Sequence, residues 1–123
     1  MKFGEYFKKL RKDKDCTQEQ IARMIGKSTM LISGVETEKN GPFLDKDLET
    51  ISNGLSLSEA ERKELFWAAA KARNKLPPHV SEYVMRHRDA ILILEIMEKN
   101  NMNEASLKRV VKFMEEIGNA ENG

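Results

Sequence analysis

A single cysteine in 123 residues rules out any intrachain disulfide, and with it the stapled scaffolds of small secreted proteins. No run approaches the roughly 18 apolar residues of a membrane span, and the N-terminus lacks the apolar stretch of a signal peptide. A soluble, cytoplasmic protein is the expectation, with no membrane partner. Net charge is only +1, without the basic excess that nucleic-acid binders often carry, and neither half departs far from balance. Distribution of charge therefore matters more than its sum. Catalytic signatures are missing too. No Ser-His-Asp or Cys-His arrangement, carboxylate pair or Gly-rich phosphate loop has meaningful spacing, which argues against an enzyme. His79 and His87 have no further His or Cys close by to complete a tetrahedral site, so no metal and no other cofactor is expected. Cys16 reads as an ordinary thiol, and the seven methionines and Trp67 as core filling.

Proline occurs only three times, twice side by side at Pro77 and Pro78, which leaves long stretches free to be helical. The length suits one domain, or a small domain with an appendage. Phe3, Phe7 and Leu10 recur at helical spacing and mark a first helix. Lys8, Lys9, Arg11, Lys12 and Lys14 crowd the same segment and offer a local basic face. Asn40-Gly41-Pro42 signals a loop. Leu44, Leu48, Ile51 and Leu55 then repeat helically, with Asn53-Gly54 as a stop. Ser58 and Glu61 form a capping-box pattern ahead of an Ala-rich helix carrying Leu65, Phe66, Trp67, Ala69 and Ala72.

The segment from Gln18 to Thr37 is the most informative. Thr17 and Gln20 fit a capping box that starts one helix at Gln18, and Ser28 is placed to cap a second. Ile21, Ala22, Ile25, Ile32 and Val35 are small or apolar where two crossing helices must touch, and Gly26 falls at the turn, where positive φ favours glycine. The pattern is that of a helix-turn-helix.

Thr17-Gln18-Glu19-Gln20-Ile21-Ala22, Gly26 and Ile32-Ser33-Gly34-Val35-Glu36 resemble the Cro and lambda-repressor-like (XRE) family of transcription regulators. The likeness extends upstream to Phe3–Arg11 and downstream to Leu48–Leu55. It implies an all-α protein: a five-helix lambda-repressor-like DNA-binding domain over residues 1–74, followed by a small C-terminal helical module. Double-stranded DNA is the implied partner, with the second helix of the motif in the major groove. Carried over position by position, the resemblance assigns Thr29, Met30, Ser33 and Gly34 to the groove, and Gln18 and Ser28 to phosphate at the helix starts. Gln18 has bracing a recognition-helix side chain as an alternative role. Lys27 and Lys39 are assigned point-charge contacts to the backbone. It also pairs Glu36 with Arg11 as a structural ion pair. The chain departs from many relatives in lacking Gln, Arg, Asn or Lys on the recognition face. Hydroxyl bonding, Met30 against thymine methyls and DNA shape are left to supply specificity.

Residues 75–78 read as a linker. Beyond it, Val80, Tyr83 and Val84 open a short helix. Ala90 to Met97 is apolar on nearly every side, either a helix or, as the rival reading, a buried strand. Asn103 caps a last helix with the stripe Leu107, Val110, Val111, Met114 and Ile117, and Gly118 reads as its stop, leaving 119–123 as a tail. Ile91, Leu92, Leu94, Ile96, Leu107, Val110, Val111 and Met114 are the candidate dimerisation surface of a 79–118 module, because a homodimer doubles the contacts of a lone helix-turn-helix. The expectation is a repressor on a near-palindromic operator, of bacterial, phage or mobile-element origin. Its alternatives are an antitoxin-type protein that binds a protein partner through the C-terminal helices and autoregulates its promoter, and a motif that only scaffolds protein contacts.

Overall fold

The computed structural model describes residues 1–122, and among them every regular element is an α-helix. The chain divides into two units, Met1–Pro78 and the residues from His79 onward.

In the first unit, α1 (Phe3–Asp13) buries Phe3, Phe7, Leu10 and Arg11 along one face. Its first turn is capped from a distance. The Gly4 N–H donates to Glu38 Oε1 at 2.5 Å, and a Cβ on Gly4 would collide with the carbonyl oxygens of Val35 and Glu36. Helix α2 (Gln18–Ile25) starts at a complete capping box: the Gln20 N–H donates to Thr17 Oγ1 at 3.1 Å, and the Thr17 N–H donates to Gln20 Oε1 at 2.8 Å. Gly26 ends it in the left-handed region at φ +65°, where L side chains are disfavoured. Helix α3 (Thr29–Glu36) follows at once, Ser28 Oγ accepting from the Leu31 N–H at 3.2 Å.

Helix α4 (Asp45–Gly54) and helix α5 (Glu59–Arg73) complete this unit. A second capping box, Ser58 with Glu61, starts α5, and Asn74 at φ 55° ends it. Helix α2 packs on both α3 and α4, α1 packs on α3 and α5, and α4 packs on α5. All five contribute to one core: Phe7, Ile21, Ile32, Val35, Leu48, Ile51 and Leu65 are fully buried. Two assignments from periodicity are corrected here. Leu44 is 54% exposed because it precedes the first turn of α4, and Phe43 is buried instead, its ring 4.8 Å from that of Phe7 in an edge-on contact. Trp67 is 56% exposed on the outer side of α5, where Leu65 and Ala69 already fill the inner face.

The second unit holds α6 (Pro78–Arg86) from its second residue on, α7 (Arg88–Lys99) and α8 (Glu104–Asn122). Pro78 belongs to the first turn of α6 rather than to a linker; proline suits that position because the first helical N–H has no intrahelical partner. Residues 90–97 are helical, so the strand alternative is not realised. Asn103 Oδ1 accepts from the Ser106 N–H at 2.9 Å, capping α8. Gly118 does not stop that helix. Its φ lies outside the left-handed region and α8 runs on to Asn122, so the expected tail is helical as far as the described residues go. None of α6, α7 or α8 buries a residue. No helix among the described residues is long and apolar enough to cross a membrane.

Candidate nucleic-acid interface

Helices α2 and α3 can approach closely because Ala22, at their crossing, is small and buried, with Ile21, Ile32 and Val35 sealing the contact behind it. Behind the crossing lies a buried ionic brace. The Arg11 guanidinium donates to both Glu36 oxygens, from Nε at 2.7 Å and Nη2 at 2.9 Å, and its Nη1 donates to the Cys16 carbonyl at 2.9 Å. Gln18 Nε2 adds a third donor to Glu36, at 3.0 Å from Oε1. Burial pushes the Glu36 carboxyl up, but the hydrogen bonds from Arg11 and Gln18 and the charges of Arg11 and Lys8 outweigh it and hold the group below its usual range. The hydrogen bond to Glu36 raises Arg11 in turn, against the opposing effect of burial. The last turn of α3 is thereby pinned to α1 and to the first residue of α2. The contact that Gln18 makes within the chain is with Glu36 of α3.

At the opposite end, α3 is open. Ser28, Thr29 and Met30 are exposed, Met30 at 82%, and Ser33 one turn on is half-buried. Gly34 is different. It is buried, the Asn40 N–H donates to its carbonyl at 3.0 Å, and the Asn40 side chain occupies the space where a Cβ would stand. Its assignment to the groove-facing set is corrected accordingly: the loop after α3 folds back over it.

Lys27 also departs from its expected role. Its Nζ lies 2.9 Å from Asp47 Oδ2, and the Asp47 side chain is only 8% exposed, so the charge at the α2–α3 turn is tied to α4. Lys39 is exposed and has no ion-pair partner among the described residues. The α1 cluster is divided. Arg11 is in the brace and Lys14 pairs with Glu61 at 2.9 Å, whereas Lys8, Lys9 and Lys12 stay exposed. Glu38 does not stand free beside the motif. It takes a left-handed conformation at φ 66° and spends its carboxylate on the first turn of α1.

Sequence reasoning missed three of these features: Asp47 as the partner of Lys27, Asn40 as the cover of Gly34, and Gly4 as the close-approach point between α1 and the end of α3. A signal existed for the last one, a lone glycine inside an otherwise bulky helix face. Cys16 is buried, and burial raises its thiol above the usual range, against the lowering effect of Arg11. No group of residues suited to holding a metal ion occurs among the described residues. Comparison of the chain with protein-family models, curated proteins and solved structures finds no match.

Proposed function

We propose that this protein is a sequence-specific DNA-binding transcription regulator of the Cro and lambda-repressor-like kind, a repressor that binds a near-palindromic operator as a homodimer in the cytoplasm. In this reading α1–α5 are the five-helix DNA-binding head. One observation carries it: α3 is held rigidly at its buried end by the Arg11–Glu36–Gln18 brace, while Ser28, Thr29 and Met30 stand open at the other. A major groove about 12 Å wide admits one helix, led by such an end. Thr29, Met30 and Ser33 then face base edges, the Ser28 turn meets phosphate, and Lys39 supplies a point charge. Lys27 contributes less, because Asp47 already neutralises it.

Selection of bound sequences from a random duplex pool tests the proposal. A two-fold symmetric consensus with half-sites about 34 Å apart is the expected result. Recovery of no enriched sequence at low salt overturns it. In salt titrations, Lys39→Ala is expected to weaken binding to every duplex and shallow the salt slope, whereas Thr29→Ala and Met30→Ala change the preferred sequence.

A second reading draws on one specific observation. Arg23 and Lys27, the two cations between Gln18 and Thr37, are both engaged in ion pairs, which leaves the helix-turn-helix segment itself without a free cation for DNA. An antitoxin-type protein, holding a partner protein with α7 and α8 while its head weakly regulates its own promoter, fits that electrostatics. Affinity below that of typical operators, together with stable capture of one protein partner, favours it over the first reading.

A further inference from the structure

Past its first turn, where Glu104 suits the helix N-terminus, the order of charges along α8 opposes what an isolated helix prefers. Lys108, Arg109 and Lys112 come first, and Glu115, Glu116 and Glu121 follow. Like charges three and four residues apart repel, and acidic groups are favoured near a helix N-terminus and basic ones near its C-terminus. All six ion pairs of the described residues lie in the first unit, so these charges of α8 form none within the chain. The same helix carries Val111, Phe113, Met114 and Ile117 at 43–62% exposure, continuing the stripe from the half-buried Leu107 and Val110.

We infer that α8 pairs antiparallel with α8 of a second copy of this chain, about a two-fold axis near Lys112. The inference rests on the homodimer reading above and adds the element, the orientation and the charges that select it. In that arrangement Leu107 of one copy lies level with Ile117 of the other, and Val110 with Met114. The apolar stripes close on each other without a change of register. Lys108 and Glu115 are two turns apart on the same flank of the stripe, so each Lys108 faces the Glu115 of the other copy, twice by symmetry. Lys108 and Arg109 of each copy lie level with Glu116 and Glu115 of the other, and the opposed helix dipoles add to the attraction. A parallel pair would bring the basic segment level with the basic segment and the acidic with the acidic, compounding the repulsion already present in each helix. No other occupant is favoured by a charge order that is complementary to itself only when reversed.

Sedimentation equilibrium on the full chain and on Lys108→Glu, Glu115→Lys and the combined exchange tests the pairing, with helical circular dichroism as the control for folding. All three variants alter exposed side chains. Each single change is expected to raise the dimer Kd about tenfold, since two exposed attractive pairs become repulsive, and the combined exchange to restore it to within about threefold. A wild-type dimer whose Kd is unmoved by the single changes overturns the antiparallel pairing and leaves the homodimer reading intact. A chain that stays monomeric at every concentration overturns both, and selection from the duplex pool then reports separately on the head.

Discussion

At the scale of single residues, the largest consequences follow from groups that are buried and charged. Glu36 and Arg11 are almost fully buried at the side-chain level, so Glu36→Gln leaves a guanidinium in the interior without its counter-charge. The expected loss is about 3 kcal/mol in urea unfolding, well beyond that of an exposed pair. The pH dependence has a definite sign. Because the Glu36 carboxyl is lowered from its ordinary 4.5, its contribution is complete above that value and is lost as pH falls below it, through the folded-state pKa. Wild type should therefore lose more stability than Glu36→Gln between neutral pH and pH 3. Glycines sort by what surrounds them. Gly4→Ala drives a methyl into backbone carbonyls that cannot move aside, at an expected cost of about 2 kcal/mol or more, read as a lower thermal midpoint. Gly34→Ala meets only the exposed, flexible Asn40 side chain, so a change below about 1 kcal/mol is expected.

Among the elements, the α2–α3 pair depends on its punctuation. Gly26 has open space around it but a left-handed backbone, so Gly26→Ala should cost about 1 kcal/mol through strain alone, and Gly26→Asn less. Thr17→Ala removes half of a capping box for about the same cost; both are measured by chemical denaturation. These boundaries were legible in the sequence because caps and turns are written in single residue types with local geometric needs: Thr17 and Gln20, Ser28, Gly26, Ser58 and Glu61. Gly118 misled because glycine ends a helix only when the next turn finds a better use for its freedom, and α8 offers none. Tertiary partners such as Asp47 for Lys27, or Asn40 over Gly34, lie 20 and six residues away, and their pairing is set by how the helices cross. Periodicity reports which face is apolar and carries no information about that crossing.

For the whole molecule, the contrast between the two units decides behaviour. The first unit owns a core drawn from all five of its helices, so a chain ended after Lys75 should still melt cooperatively and keep its helical signal. Light scattering on that shortened chain is expected to report a monomer, whereas the full chain reports a dimer; a full-strength dimer of the shortened chain would move the interface to the head. Trp67, the single tryptophan, stands on that head in partial contact with solvent, and its emission is therefore a weak reporter of core unfolding. Phe43 and Phe7, in the interior, are the better sites for an engineered probe.

The absence of any buried residue in α6, α7 and α8 has a thermodynamic consequence. If α8 pairs between copies as proposed, helices that fully bury no residue within their own chain gain order by mass action, so the chemical potential of the protein itself becomes a variable of its fold. Dilution should soften the distal half while the proximal half stays rigid. A calorimetric scan repeated over a hundredfold range of protein concentration should resolve one transition that stays in place and another that migrates.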